Sequence, residues 1–402
     1  MVEQPGLTVS AAPASDSRSH VPALDGVRGL AALLVMIFHF GRAEVPGSGA
    51  AAIGFFAQFG WGGVDLFFVL SGFLICGILL DTRDRPAFLR TFYARRTLRI
   101  FPLYFAFLAA YIFVIAPRLP GGASDIEARQ RWLWLYVGNF DVAAHGWYSG
   151  TGSHANHLWS LAIEEQFYLL APFAVLLLSR RGLARLAVVC ALGALALRVA
   201  LAHTGFPGRW GYVLTFTRVD ALCLGALLAL AARRGDLLQR LVPIARVVAP
   251  LSAVFVVAFA LISGNFDSES WRTLQIGLPV LTLGFAALLV LAVASGEGSW
   301  IRGTFESRAL RFLGVYSYSL YIWHPLVGAL VRRTGLRQAS IVGPLGSTGA
   351  VLVTLAVKIA VATLVAIVSY RVIEQPFLQL KNRLRAAAWR TVGVSSTAVS
   401  DA

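Results

Sequence analysis

Charged residues are scarce in this chain: Asp, Glu, Lys and Arg together make up 14% of its 402 residues. Soluble globular domains carry about a quarter charged residues, so the composition argues against a soluble helical bundle. Apolar residues make up 57% of the chain, and long apolar runs recur along it from residue 23 to residue 370. Runs of this kind are typical of helices that cross a bilayer. The sequence therefore predicts an all-α integral membrane protein.

Cysteine and clustered metal ligands are also scarce. Cys76, Cys190 and Cys223 each lie inside an apolar run, without the paired spacing of a metal or redox site. Their positions therefore give no reason to expect disulfide bonds. His154 and His157 stand three residues apart in "GSHANH" but have no convincing third ligand nearby, so no metal ion is predicted.

Motifs of several soluble enzyme classes do not occur in the sequence. There is no G-x-G-x-x-G or Walker-type loop to bind phosphates. Ser160 lies in an apolar run without the G-x-S-x-G elbow of a serine hydrolase, which argues against that mechanism.

Lysine is nearly absent: only Lys358 and Lys381 occur, so arginine supplies almost all of the formal net charge of +15. On an aqueous surface such a charge would suggest nucleic acid as a partner. Here the arginines stand in short segments between apolar runs, which is the pattern of membrane topology signals. No nucleic-acid partner is expected.

Ten apolar segments approach the roughly 20 residues that a spanning helix needs. They are residues 23–41, 59–80, 99–117, 158–178, 184–203, 212–232, 245–263, 272–294, 309–330 and 346–370. We expect about ten transmembrane helices in a domain that covers residues 21–380. Residues 1–20, rich in Ser, Ala and Pro, are predicted to be a disordered tail, and residues 381–402 a second tail.

Arginines are concentrated in every second loop, which predicts the orientation of the chain. The basic positions are Arg83, Arg85, Arg90, Arg95, Arg96, Arg180, Arg181, Arg185, Arg233, Arg234, Arg240, Arg246, Arg302, Arg308, Arg311, Lys381, Arg383 and Arg385. By the positive-inside rule these loops and both termini are cytoplasmic, in a multi-pass protein of the inner membrane. Arg332, Arg333 and Arg337 break the alternation, so their loop is either functional or a sign that the spans are miscounted.

Two ionisable residues in the first apolar run stand out. Arg28 and His39 are eleven residues apart, which corresponds to roughly 1,100° of helical rotation and a rise of about 16 Å, so they share one face. In one interpretation, Arg28 snorkels and pairs with Asp25 while His39 sits at the far interface. In the other, the helix lines a channel with a cation at its mouth and an imidazole deep inside.

A second group of cations precedes the third span in "YARRTLRIFPLY". Arg96 and Arg99 are three residues apart and can share one helical face. They can bind anionic lipid headgroups, or they can form a phosphate-binding mouth with their planar guanidinium groups. An acyl-coenzyme A would suit the second interpretation, because its phosphates could bind arginines while its thioester reaches a neutral histidine that acts as a base.

Six motifs carry a resemblance to a known family. They are "LDGVRGLAALLVMIFHF", "GWGGVDLFFVLSGFLI", "FYARRTLRIFPLY", "HLWSLAIEEQFYLLAP", "YSYSLYIWHPL" and "YRVIEQPF", in this order between about residue 22 and residue 378. The chain resembles the membrane acyltransferase-3 family, whose members O-acylate sugars, cell-wall polymers and lipopolysaccharide. Each motif alone is weak, but six in order are a specific signal.

The resemblance implies roles for individual residues. His39 matches the family's catalytic histidine. Arg28 matches the arginine at the other end of the same helix, which belongs to the donor site. Arg96 and Arg99 would help to bind the acyl donor. Glu374, in the terminal glutamate-x-proline motif, would support the donor site, although pairing with Arg371 is a structural alternative.

The fourth span and a neighbouring motif supply the remaining candidates. The resemblance matches Glu164 and Glu165 to a catalytic glutamate; adjacent residues differ by about 100°, so we expect at most one to face a cavity squarely, and we favour Glu165. An ion pair with an arginine such as Arg218 is the structural alternative. Trp159 and Ser160 are predicted to bind substrate.

Asp65 and His324 are weaker candidates. Asp65 follows three glycines in "GWGGVD" and is predicted to bind substrate, to orient a histidine or to cap a helix. His324 precedes Pro325, which should weaken the helix there, so we expect Trp323 and His324 at the outer interface rather than in the reaction centre.

The sequence as a whole predicts an integral membrane O-acyltransferase. The acyl group, most simply acetyl, would pass from cytoplasmic acyl-CoA to a hydroxyl of a carbohydrate in the cell envelope. The chain stops at residue 402 without the soluble esterase-like domain that some relatives carry, so a stand-alone enzyme is expected. The alternative is a proton-coupled transporter or flippase in which Arg28, His39 and Glu165 relay protons. The sequence leaves open the acceptor and the membrane face it uses, the acyl length, the need for a partner protein and the oligomeric state. It also leaves open whether His39 acts as a general base or carries the acyl group itself.

Overall fold

The computed structural model describes residues 21–380 apart from residue 43 and residues 120–123. The two predicted tails, residues 1–20 and 381–402, lie outside the described residues. Every regular element in the described part of the chain is helical, which confirms the prediction of an all-α protein.

Seventeen α-helices make up the described fold. They are α1 Pro22–Phe40, α2 Ser48–Ala57, α3 Gly63–Thr82, α4 Phe88–Ala109, α5 Ser124–Trp134, α6 Gly138–His145, α7 Leu158–Leu177, α8 Arg180–Ala202, α9 Arg209–Val213, α10 Thr215–Ala231, α11 Leu237–Arg240, α12 Val242–Ser263, α13 Leu278–Ala294, α14 Trp300–Phe305, α15 Arg308–Val315, α16 Ser317–Arg333 and α17 Gln338–Ser369.

Nine helical stretches in this part of the chain are long and apolar enough to cross a membrane. They are Pro22–Phe40, Gly49–Thr82, Phe88–Arg118, Leu158–Leu177, Arg180–Ala202, Arg209–Ala231, Val242–Ser263, Thr273–Ala294 and Gln338–Leu380. The tenth predicted span, residues 309–330, is divided into α15 and α16 because Tyr316 leaves the helical conformation, with φ −95° and ψ 5°. α16 has 17 residues, so it falls just short of the usual spanning length.

Helix α1 lies at the centre of the fold and contacts α3, α13, α14, α15, α16 and α17. Glycines allow the closest of these contacts. A Cβ at Gly26 would lie 1.8 Å from the carbonyl oxygen of Phe305, and one at Gly29 would lie 1.9 Å from that of Leu310. Only glycine fits such an approach, which explains the two glycines of "DGVRG". They fix α1 against α14 and α15.

Helix α3, which contains most of the motif "GWGGVDLFFVLSGFLI", packs mainly on α10. A buried ion pair joins the two helices, with Arg218 Nη2 2.6 Å from Asp65 Oδ1. By contrast, α8 and α12 expose apolar side chains such as Val189, Leu192, Leu251 and Val254. These outward faces suit contact with lipid, whereas α1, α3, α4, α7 and α16 surround the interior.

Candidate active site

A cavity opens beside the Arg28 end of α1, between α1, α3, α4, α7 and α16. Its empty space is about 840 Å³, including the part open to the outside. Small-molecule sites usually measure about 300–1,000 Å³. Arg28, Arg96, Arg99, Glu164 and Glu165 supply the charged part of its lining. We call it the arginine cavity.

The arginine cavity brings together cations from two helices. Arg28 Nη1 lies 2.7 Å from Asp25 Oδ1, so the pairing predicted as an alternative is present. The same guanidinium lines the cavity, so pairing with Asp25 and facing the cavity are compatible. The Arg96 guanidinium lies 5.8 Å from the ring centre of Phe92 and 5.9 Å from that of Tyr168. Guanidinium groups that line a cavity can bind phosphate oxygens with their planar sets of N–H donors.

The two glutamates of α7 both line the arginine cavity, but they differ in their hydrogen bonds. Glu164 accepts hydrogen bonds from Ser71 Oγ at 2.8 Å and from Tyr168 Oη at 3.1 Å. Within residues 21–380 as described, no hydrogen bond reaches the Glu165 carboxylate. Both glutamates therefore border the cavity, although adjacent positions on a helix differ by about 100°.

The arginine cavity ends at a pair of hydroxyl groups. Ser160 Oγ and Tyr321 Oη lie 2.5 Å apart, and both residues belong to the lining. Tyr321 Oη also donates to the backbone oxygen of His157 at 3.0 Å. Two hydroxyl groups of the lining therefore lie next to the backbone of His157.

His39 lies at the opposite end of α1 and has an exposed side chain. Its Nδ1 is 2.9 Å from the backbone oxygen of Val35. A carbonyl oxygen can only accept, so this contact assigns the proton to Nδ1. In the neutral ring, Nε2 then keeps its lone pair, as a base or a nucleophile requires.

Two further histidines connect His39 with the end of the arginine cavity. The ring centre of His324 lies 4.6 Å from that of His39, and that of His157 lies 5.3 Å from His324. The His157 ring is in turn 5.4 Å from that of Tyr321. We call His39, His324 and His157 the histidine row. In the described part of the chain, no cluster of three or more His, Cys, Asp or Glu could hold a metal ion.

The interfacial position expected for His324 was wrong, since its side chain is fully buried. The cause is Pro325, which lies inside α16 and has no backbone N–H for the carbonyl of Tyr321, four residues earlier. His324 Nδ1 lies 2.8 Å from that same oxygen and replaces the missing donor. The sequence contained the signal in "WHP", but we interpreted the proline as a break in the helix.

Three other candidate residues lie outside the lining of the arginine cavity. Asp65 pairs with Arg218, so the arginine considered as a partner for Glu165 is bound elsewhere. The Trp159 ring packs 4.7 Å from that of Tyr212. Glu374 is buried and accepts a hydrogen bond from Ser319. Each has a structural partner, whereas Ser160, next to Trp159, reaches the cavity.

Comparison with known proteins identifies the family. Residues 21–369 match the family model described as an acyltransferase domain. The chain belongs to this acyltransferase family. The resemblance predicted from the six motifs is therefore confirmed over most of the chain.

Two relatives illustrate the similarity. The peptidoglycan O-acetyltransferase OatA of Listeria monocytogenes is 27% identical over 378 residues, covering 90% of this chain and 56% of that protein. The O-acetyltransferase OatA of Staphylococcus aureus is 28% identical over 331 residues, covering 77% of this chain and 50% of that protein. The chain thus spans about half the length of these relatives. No solved structure matches it.

Proposed function

We propose that this chain is a multi-pass inner-membrane O-acetyltransferase that moves an acetyl group from acetyl-CoA to a hydroxyl of a carbohydrate. The observation that carries the proposal is the arrangement of α1. This helix presents Arg28 to the arginine cavity and, about 16 Å further along its axis, a histidine with a free Nε2. The name of the Listeria monocytogenes relative supports a peptidoglycan-like acceptor.

The arginine cavity is the proposed donor site. Arg28, Arg96 and Arg99 would bind the phosphates of acetyl-CoA at its mouth. Much of the remaining lining is apolar, with residues such as Phe67 and Leu74, which suits a thin pantetheine arm. The basic loops on this side of the spans support placing it in the cytoplasm, together with both termini.

Glu165 is our second proposed active-site residue. Its carboxylate faces the cavity without a hydrogen bond from any described residue, whereas Ser71 and Tyr168 fix Glu164. A free carboxylate beside the donor arm can accept a hydrogen bond from an amide of pantetheine. Glu164 then serves to hold α7 against α3.

His39 is the proposed general base. Its Nε2 takes the proton of the acceptor hydroxyl while that oxygen attacks the thioester carbon. The carbon–sulfur bond breaks, and the departing thiolate of coenzyme A recovers the proton from the imidazolium. The hydrogen bond from Nδ1 to Val35 keeps the ring in the required tautomer throughout.

The test is a transfer assay on the full chain in lipid nanodiscs. Acetyl-CoA labelled in the acetyl group is supplied with a peptidoglycan-derived glycan, and both labelled glycan and free coenzyme A are measured. We expect the label on a sugar hydroxyl, with one coenzyme A released for each ester formed. The same label on a glycan in protein-free nanodiscs would contradict enzymatic transfer.

A parallel measurement addresses transport. The glycan is enclosed in proteoliposomes, and its movement across the bilayer is followed with and without acetyl-CoA. Rapid movement of an unmodified glycan, with no ester formed, would favour the transporter and contradict the acetyltransferase.

A further inference from the structure

A cluster of cations lies beside the His39 end of α1. Arg332 and Arg333 end α16, and Lys358 lies within α17. These two arginines are among the residues that break the alternation of basic loops.

The Arg332 side chain folds back along α16 towards α1. Its Nη1 lies 3.8 Å from the position that a Cβ on Gly328 would occupy, and the ring of Phe40 lies 2.9 Å from the same position. Phe40 directly follows His39, and its ring centre is 6.2 Å from that of His324. The Arg332 cation is therefore close to the proposed catalytic end of α1.

Lys358 adds a buried charge to this cluster. Its side chain is 3% exposed, although it lies in the last long apolar stretch of the described chain. It interacts electrostatically with Arg332 and with Glu44, and Glu44 is exposed. An ionisable residue within an apolar stretch usually faces a ligand, a partner or a cavity.

The positive charge in this cluster exceeds the negative charge. Arg332 and Arg333 both act electrostatically on His154, three residues before His157 in the chain. Within the described residues, no hydrogen bond or ion pair joins Arg332, Arg333 or Lys358 to a carboxylate. Glu44 is the acidic residue near Lys358. Such a site is complementary to an anion.

We propose that Arg332, Arg333 and Lys358 bind an oxyanion of the acceptor and thereby hold its hydroxyl next to His39. The acceptor is then an anionic glycan, either one that carries carboxylates or one that is linked to a lipid through a pyrophosphate. This inference rests on the proposed acetyltransferase function. Binding of lipid headgroups by the arginines alone would not explain the buried position of Lys358.

Three acceptors test the proposal with the full chain in nanodiscs of neutral lipid. They are a neutral oligomer of N-acetylglucosamine, a glycan of the same length that carries carboxylates, and a short-chain polyprenyl-pyrophosphoryl sugar. For each, kcat/KM is measured in wild type, Arg332→Gln, Lys358→Gln and Arg246→Gln. Arg246 is exposed on α12 and is the matched control for the loss of one positive charge.

We expect wild type to prefer at least one anionic acceptor over the neutral one by tenfold or more. Arg332→Gln and Lys358→Gln should each reduce this ratio about tenfold through a higher KM, and Arg246→Gln should leave it unchanged. The preferred anionic acceptor identifies the source of the oxyanion. Because Arg332 is exposed, its variant tests the proposal even if Lys358→Gln fails to fold.

Equal kcat/KM values for all three acceptors, or an unchanged ratio in Arg332→Gln, would overturn the inference. In that case acetyl transfer by wild type would still support the proposed function. If wild type transfers acetyl to none of the acceptors and releases no coenzyme A, it is the proposed function that fails.

Discussion

The two ends of α1 differ in how their charges are balanced. At the Arg28 end, arginines and carboxylates line one cavity, and Arg28 forms an ion pair with Asp25. At the His39 end, imidazole rings pack against one another, and the cations nearby outnumber the carboxylates. The first environment suits a polyanionic donor, and the second suits a neutral base and an anionic acceptor. A single helix can therefore separate donor binding from chemistry.

The largest effect should come from removing the base. His39→Ala should lower the rate of acetyl transfer by roughly 10²–10⁴-fold, the usual contribution of a general base. The rate is measured as labelled ester formed under saturating acetyl-CoA. The matched control is His203→Ala, because His203 is exposed at the end of α8. Full activity in His39→Ala would remove His39 from the mechanism.

The next effect concerns the donor end. Arg28→Lys should weaken coenzyme A binding about tenfold, because lysine keeps the charge but loses the planar pair of donors. Calorimetry with the protein in nanodiscs measures the Kd, and Arg246→Lys is the control. Unchanged affinity would separate Arg28 from the donor site.

His324 should have an intermediate effect through the position of His39. His324→Phe keeps a ring against His39 but removes the bond to Tyr321, so we expect kcat to fall several-fold while the KM for acetyl-CoA stays the same. Kinetics at saturating donor measure the change, and His324→Gln should recover part of it by restoring a donor to the Tyr321 oxygen. A change in the donor KM alone would place His324 in donor binding instead.

The smallest expected effects concern the two glutamates, whose variants distinguish a structural role from a role in activity. Glu164→Gln should lower the stability of the fold by about 1 kcal/mol, because an amide NH2 replaces one of the two acceptor oxygens that Ser71 and Tyr168 use. Glu165→Gln should leave the unfolding temperature unchanged and reduce activity. Thermal unfolding in detergent and the transfer assay are compared for both variants. The reverse pattern would exchange their proposed roles.

Helical periodicity and motif order were enough to predict much of the fold and the charged residues that line the arginine cavity. Arg28, Arg96, Arg99, Glu164 and Glu165 were all candidates from the sequence, and the cavity brings them together. Their signals are local, because each lies in a long apolar run where a charge is expensive. The identity of the family followed from the same motifs.

The histidine row could not be predicted from the sequence. Whether His324 faces lipid or α1 depends on the packing of α16, and a proline in the middle of a helix has no unique outcome. His157 gave only a weak metal signal with His154. The break at Tyr316 and the proximity of Arg332 to the end of α1 likewise arise from tertiary packing rather than from local pattern.

The most direct test of the central claim is a crossed binding measurement. Coenzyme A affinity is determined in His39→Ala and in the double variant Arg96→Gln/Arg99→Gln, with wild type and His203→Ala alongside. If the two ends of α1 have separate roles, His39→Ala binds coenzyme A with the wild-type Kd, and the double variant binds at least tenfold more weakly. Loss of affinity in His39→Ala, with full affinity in the double variant, would contradict the account.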